Sequence, residues 1–390
     1  MKRKNVNQRI GTYIPQKTPQ ESYKAYIPPE LPLRPPIDLT VLYSSLEKAT
    51  ISLAKLNNIT QNIPNHSLFI YMYVRKEALL SSQIEGTQSS FSDLMLFEHE
   101  LKPTVSLDDV EEVSNYVKAI TYGIKRLNSD FPLSLRLLRE IHQILLSGGR
   151  GSSKSPGEFR RSQNWIGGTR PGNALFVPPP AEQLYACLTN LEKFLYDKTL
   201  PTLVKAGIVH LQFETIHPFL DGNGRLGRLL IVLLLYHDGM LDEPILYLSL
   251  YLKENRQTYY RLLQEVRQNG TWETWIEFFL EGIDISARQA IETANNINNL
   301  FDKDLEKLKS LGRARLSCEK TLQFMQKLPQ VDVSILSTAL SMTAPTARTS
   351  LNNLVSLGVL EEISHKKRDK IYVYKKYLEI LEEGTTPLPQ

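Results

Sequence analysis

Cysteine is scarce in this 390-residue chain: the two present, Cys187 and Cys318, lie 131 positions apart. That spacing excludes a disulfide framework and any CxxC metal or redox pair, and both thiols are expected as buried hydrophobes. Long apolar runs are missing too. The longest, 229–236, has eight residues, far below the ~20 a bilayer span needs, so no membrane partner is expected. The chain opens on Met-Lys-Arg-Lys, but a proline-rich stretch follows instead of the apolar core of a secretory signal. Charge of one sign is also lacking: 46 Lys and Arg against 42 Asp and Glu leave +4, too little to name a partner. With 42% hydrophobic and 23% charged residues, the composition is that of an ordinary globular protein, cytoplasmic by default. Its length predicts two or three domains.

Seven prolines between 11 and 37 (Pro15, Pro19, Pro28, Pro29, Pro32, Pro35 and Pro36) predict an extended arm over residues 1–40. From 41 to 290 the pattern is mostly helical. Leu42, Leu46, Ala49, Leu53 and Leu56 keep helical spacing, as do Val110, Val113, Val117, Ile120, Ile124 and Leu127. The interruption at 147–180, with seven glycines and five prolines, excludes a long helix, and 159–166 within it reads as a short hairpin strand. A linker helix is expected over 291–312. Charge then changes sign: 11 basic against five acidic residues put 313–377 at +6 and leave the remainder at −2. Apolar helices at 321–328, 333–340 and 344–357, with a break at Ser341-Met342-Thr343, precede a basic hairpin turning at 365–369. This order resembles a winged helix-turn-helix over 313–380, followed by a tail over 381–390. The fold class is mainly α.

One stretch carries chemistry: His217-Pro218-Phe219-Leu220-Asp221-Gly222-Asn223-Gly224-Arg225-Leu226-Gly227-Arg228. Gly222, Asn223 and Gly224 form a loop whose bare backbone lets N–H groups approach a ligand. The helix starting there adds free donors and a partial positive charge. Arg225 and Arg228, three apart, fall on one side of its first turn. Together these make an oligophosphate cradle. Asp221 at its lip is a hard oxygen ligand of the kind that takes Mg²⁺ beside phosphates. His217 is placed as a general base, with an ordinary pKa near ~6.5. Gly222-x-Gly224-x-x-Gly227 also satisfies a dinucleotide fingerprint, with Asp242 downstream. The chain lacks the repeated strand–helix units that such a fold requires.

The same twelve residues resemble the full signature of the Fic domain, HxFx(D/E)GNGRxxR, whose family transfers AMP from ATP to protein hydroxyls. The resemblance implies a helical core with a β-hairpin flap. It implies that His217 deprotonates the target hydroxyl, that Phe219 anchors the loop and that Asp221 binds Mg²⁺. Gly222, Asn223, Gly224, Leu226 and Gly227 would lie along the ATP, with Arg225 and Arg228 on its β/γ-phosphates. Ser81-Ser82-Gln83-Ile84-Glu85-Gly86 is similar to the family's inhibitory signature (S/T)xxxE(G/N), with Ser81 and Glu85 at its fixed places. A helix over 68–86 would set Glu85 at the negative end of the dipole, where a carboxylate calls for a cationic partner. The resemblance names Arg228. Residues 157–167 resemble the flap, so Asn164, Trp165, Ile166 and Gly167 are expected to dock the target's backbone as an added strand. Tyr259 and Tyr260 resemble the aromatic pair beside the adenine. His210 reads as structural.

The activity expected is adenylyl transfer from Mg-ATP to Ser, Thr or Tyr hydroxyls of target proteins and of the chain itself, held low by Glu85. Two alternatives stay open: a nucleotide-sensing DNA-binding regulator, and the same fold transferring another group or removing AMP. Partners are ATP and a hydroxyl-bearing protein, with nucleic acid at 313–380 and a homodimer as further candidates.

Overall fold

In a computed structural model, residues 9–62, 66–98, 100–363 and 370–388 are described. The expected turn at 365–369 lies outside them.

The N-terminal arm is not simply extended. Strands β1 (Thr12–Lys17) and β2 (Ser22–Ile27) pair antiparallel, with Thr12 opposite Ile27 and Lys17 opposite Ser22. Pro15 is tolerated because both strands of a two-stranded ribbon are edges. The chain reverses where Thr18 N–H donates to Glu21 O at 2.9 Å. Beyond β2 the proline-rich stretch bends at 31–32 and 34–35, with Leu31, Leu33 and Ile37 buried.

Helices α1 (Leu39–Asn62), α2 (His66–Ile84), α3 (Phe91–Glu98), α4 (Leu107–Leu127), α5 (Leu135–Leu145), α6 (Ala181–Leu195), α7 (Thr202–Ile216), α8 (Asn223–His237), α9 (Ser249–Glu254) and α10 (Arg256–Asn269) form the core. At its centre α8 is apolar nearly all round, with Leu226 and every residue from Leu229 to Leu235 at most 2% exposed. A helix with that pattern must be surrounded. The antiparallel pair α7–α8 therefore positions whatever lies in the loop between them.

The expected boundary at 290/291 is absent. A single helix, α11 (Trp272–Leu308), runs through it. Trp275, Phe279, Ile283, Ala287, Ala290, Ala294, Ile297 and Phe301 are buried along one continuous stripe at helical spacing. Small alanines in the middle made the second half look like a polar linker. A 3₁₀ segment, Lys309–Ala314, follows. The expected strand over 159–166 is also absent. Among the described residues this segment makes one isolated bridge, Ile166 to Phe176.

The C-terminal unit runs α12 (Arg315–Lys327), β3 (Gln330–Val331), α13 (Val333–Ala339), α14 (Ala344–Ser356), β4 (Glu361–Glu362), β5 (Tyr372–Val373) and α15 (Lys375–Glu382), with sheet order β3-β5-β4. Asp332 caps α13, accepting from Ile335 N–H at 2.8 Å, and Thr343 caps α14. Cys318 is buried here, whereas Cys187 is only half-buried in the core. Within the segment expected as a tail, Thr385 is 3% exposed. No described helix is long and apolar enough to cross a membrane.

The continuity of α11 is testable. Ala294→Arg places an unpaired charge at a site 1% exposed and should cost on the order of 3 kcal/mol. Asn295→Arg, on the exposed side, should stay within ~0.5 kcal/mol. Similar urea midpoints for the two variants would show that this stretch is a solvated linker.

Candidate active site

Helix α7 ends at His217, which closes it in the left-handed region (φ 49°, ψ 61°) with its N–H on Phe213 O at 2.9 Å. A non-glycine residue there is strained, and such strain persists only where the surroundings over-determine it. Here they do. Arg160 Nε donates to His217 O at 3.0 Å and Arg160 Nη2 reaches Pro179 O at 2.5 Å. Arg160 N–H donates to Pro218 O at 2.9 Å. Asn164 Nδ2 donates to His217 O at 3.3 Å and to Phe219 O at 3.0 Å. Asn223 clasps Phe219 at both backbone groups, accepting from its N–H and donating to its carbonyl, each at 2.9 Å.

His142 completes the clasp. Its Nδ1 accepts from Gly157 N–H at 2.8 Å, so Nε2 carries the proton and donates to Asp221 O at 2.9 Å. Its ring stacks on Phe219 with centroids 3.7 Å apart. Phe219, 0% exposed, is the apolar anchor of the loop. Burial, reinforced by Arg225, lowers the His142 pKa to about 4. It stays neutral, as the clasp requires.

Gly222 (φ 76°) turns the chain into α8. The first backbone bond of that helix runs from Leu226 N–H to Gly222 O at 3.0 Å, so the N–H groups of Asn223, Gly224 and Arg225 precede the ladder. These amides form the anion-binding end of α8. The Asn223 side chain is committed to Phe219, which leaves only its backbone N–H for a ligand. Leu226 is 0% exposed, and Gly227 O accepts from His210 Nδ1 at 3.1 Å. Both residues are buried on the enclosed part of α8.

Both guanidiniums are engaged. Arg228, 1% exposed, donates from Nε to Ser81 Oγ at 2.9 Å and from Nη2 to Ser81 O at 2.9 Å. The same Nη2 meets Glu85 Oε1 at 2.6 Å. Burial opposes ionisation of both partners. The mutual attraction outweighs it, holding the Glu85 carboxyl below its ordinary range and the guanidinium above. Arg225 pairs with buried Glu112 at 3.0 Å and approaches Asp221 at 3.6 Å, while its Nε has no partner. Arg150 reaches the other Glu112 oxygen at 3.1 Å and the Glu85 carbonyl at 3.3 Å. Burial raises the Glu112 pKa despite both arginines.

His217 is half-buried, and burial, with the charges of Arg267 and Arg160, lowers its pKa to about 4 against the pull of Glu85. At neutral pH its imidazole is an unprotonated base. Tyr259 is 1% exposed, its hydroxyl on His210 Nε2 at 2.8 Å. It therefore supports α8 from behind, and only Tyr260, 43% exposed, offers a ring at the surface. In the 157–167 segment Trp165 is exposed, and Ile166 exchanges backbone bonds with Phe176 at 2.8 and 3.1 Å.

Sequence reasoning missed His142, Glu112 and Arg150, and gave Arg160 no role. All lie far from the motif in the chain, and three of the four act at least partly on backbone carbonyls. That duty leaves no spacing signal.

Mg²⁺ fits only as an ion held largely by phosphates. Among the described residues no group of three or more His, Cys, Asp or Glu side chains is placed to hold a metal ion. Asp221 Oδ1 accepts from Gly222 N–H at 2.6 Å. Its Oδ2 is turned toward Gly151, where a Cβ would come within 2.9 Å. One open carboxylate oxygen beside an anion cradle suits this ion, which commonly takes one or two carboxylates plus substrate phosphate.

Comparisons with known proteins bear on this arrangement. Residues 43–125 match the model described as "Fic/DOC family N-terminal", and residues 132–235 match "Fic/DOC family". Proteins named "Protein adenylyltransferase Fic" are similar over part of the chain. The Drosophila yakuba protein is 30% identical over 162 residues, covering 41% of this chain and 30% of its own length. The Aedes aegypti protein is 31% identical over 180 residues, covering 45% and 33%. The chain thus spans about a third of these relatives. Two solved structures share the fold at 20% identity. A Fic family protein from Desulfovibrio desulfuricans G20 has a TM-score of 0.55, covering 84% of this chain and 95% of that one. A Fic domain-containing signalling protein of Bacteroides thetaiotaomicron has a TM-score of 0.52, covering 63% and 97%.

The charge state of His217 is measurable directly. Its folded pKa lies below the ordinary ~6.5, so acid must reach the folded value before the ring protonates. Histidine-labelled NMR of the nucleotide-free protein should show it neutral at pH 5.5 and titrating near 4. A midpoint above 6 would contradict the buried, cation-flanked environment.

Proposed function

We propose that this chain, built on the Fic fold, is a protein adenylyltransferase that moves AMP from Mg-ATP to a Ser, Thr or Tyr hydroxyl, its own included, under restraint by Glu85. One observation carries the reading. A neutral imidazole, bare helix-start amides and two buried guanidiniums converge on one loop, and both guanidiniums are held by carboxylates. The relatives named as adenylyltransferases support the same class.

The chemistry follows from the residues. The amides of Asn223, Gly224 and Arg225 receive the α- and β-phosphates. Once Glu85 withdraws, Arg228 is available to the γ-phosphate, and Arg225 to a neighbouring one. Bound beside Asp221, Mg²⁺ would neutralise phosphate charge. His217 accepts the proton of the target hydroxyl, whose oxygen bonds to the α-phosphorus. The bond from that phosphorus to the β-phosphate oxygen breaks, and pyrophosphate leaves. Tyr260 offers a ring to the adenine. Trp165, Ile166 and Gly167, beside the Ile166–Phe176 bridge, offer the target an edge for strand addition, while Asn164 serves by holding the loop.

The C-terminal unit reads as a winged helix-turn-helix. Arg348, Thr349 and Asn352 are exposed on α14, and Lys370 lines the same concavity as Arg348 and Asn352. This supports a second reading, nucleic-acid binding by this unit. It predicts a salt-dependent mobility shift lost in Arg348→Ala. A salt-independent shift, or none, removes it.

His217→Ala should bind ATP nearly as tightly as the parent but lower transfer by roughly 10²–10⁴-fold. With α-labelled ATP the parent should acquire label; with γ-labelled ATP it should not. Label from the γ-position would mean phosphoryl transfer and would overturn the reaction assignment.

Glu85→Gly should raise self-labelling by roughly one to two orders of magnitude, since misplacement of about 1 Å can cost ~10²-fold. Adding Arg228→Ala should abolish that gain. Equal rates for parent and Glu85→Gly would reduce Glu85 to a helix-end residue.

A further inference from the structure

The end of α2, with Ser81 in its last turn and Glu85 just after it, is gripped by the segment following α15. Gln83, 0% exposed, lies between those two residues. Its Nε2 donates to Thr385 O at 2.7 Å and to Ser89 O at 3.0 Å. Its Oε1 accepts from Lys253 Nζ at 2.7 Å. Lys253, 5% exposed, also donates to Gly384 O at 3.2 Å and to Thr386 O at 2.5 Å. Gln88 Nε2 reaches Leu388 O at 3.4 Å, and Ser92 Oγ donates to Glu382 Oε1 at 2.7 Å. The backbone is shaped for this seat. Gly384 adopts φ +75°, and a Cβ there would come within 2.7 Å of Leu250.

The segment is also mechanically joined to the C-terminal unit. Helix α15 leads directly into it. Tyr374 and Tyr377, at the start of α15, pack on Phe301 of α11 with centroids 6.1 and 5.0 Å away. Tyr374 donates to buried Asp304 at 2.7 Å. Displacing the unit therefore pulls on a segment whose backbone carbonyls are bonded to Gln83 and Lys253. Without those bonds, a buried lysine and a buried amide would be left unpaired, an outcome that disfavours partial release.

We propose that residues 383–388 are a latch that fixes the last turn of α2 and so keeps Glu85 on Arg228, with movement of the C-terminal unit as the event that opens it. The proposal rests on the reading of Glu85 as inhibitory. It makes the C-terminal unit a controller of the catalytic core rather than an appendage, through two discrete states of one short segment.

The test uses the full chain in six forms: parent, Lys253→Met, Gly384→Val, Glu85→Gly, and each latch variant combined with Glu85→Gly. Lys253→Met removes three hydrogen bonds and keeps the apolar stem. Gly384→Val displaces the segment through its backbone, without touching α2. Hydrogen exchange over residues 80–88 and incorporation of α-label are both measured. Exchange there should quicken in both latch variants. Labelling should rise about 5–150-fold, the usual span of a coupling between sites, and should not rise further in the Glu85→Gly background. Unchanged exchange in a folded variant overturns the latch. So does faster exchange with unchanged labelling while Glu85→Gly alone raises labelling, or a gain that adds to that of Glu85→Gly. If Glu85→Gly is itself silent, the inhibitory reading fails. Exchange alone then decides the latch: faster exchange keeps the mechanical link, and unchanged exchange removes it. Should Gly384→Val fail to fold, Lys253→Met carries the test.

Discussion

Arg228 must hold a full charge with almost no water around it. Removing an ion from water costs several kcal/mol even after the protein relaxes, so this guanidinium requires anionic or carbonyl partners in every state the molecule occupies. In the described state those partners are Ser81 O, Ser81 Oγ and Glu85 Oε1. All three belong to the end of α2 and the residue after it, so one charge requirement ties α2 to α8. The requirement runs both ways. Glu85 follows the C-terminal end of its helix, where the dipole opposes a carboxylate, and the guanidinium overrides that opposition. A phosphate could replace the carboxylate. An apolar group could not.

Around that pair, the loop is held by polar side chains used on the backbone. Arg160, Asn164, His142 and Asn223 all donate to carbonyls between Ile216 and Asp221. The consequence is a rigid presentation of His217 in a strained conformation. It also reserves for a ligand only what remains: first-turn amides, one oxygen of Asp221, and guanidiniums. Preorganised donors that need no rearrangement are what charge development in a transition state rewards. His142 and His217 share lowered pKa values for a common cause, burial beside arginines. They differ in use. His142 is locked at both nitrogens, and His217 closes α7 at the head of the loop.

Legibility in the sequence followed chain locality. The His217–Arg228 stretch was readable because its parts are contiguous, and Glu85 through its resemblance to the inhibitory signature, with a carboxylate at a helix end in support. Arg160, His142, Glu112 and Arg150 were not, since a side chain that meets a distant carbonyl or carboxylate imposes no period on its neighbours. Leu226, Gly227 and Tyr259 show the converse limit. Adjacency to a motif does not say which helix face a residue occupies, and α8 is enclosed from Arg225 to Leu235. Periodicity marked the core helices well. It failed for α11, where buried alanines carry too little hydrophobicity to extend the stripe by eye, and for 159–166, where side-chain clasps replace a strand ladder.

Gly224 brings these constraints to one point. It does not sit in the left-handed region, so backbone freedom does not explain it. What a Cβ would meet there is Glu85 Oε1, closer than any van der Waals contact, and Arg228 Nη1 at 3.0 Å. The missing side chain therefore leaves a volume that an anion occupies, over free amides and against a buried guanidinium. Glu85 fills it now. A phosphate oxygen set on the same donors would need the same space. The glycine is thus what lets the Glu85 carboxylate reach Arg228 over the head of α8.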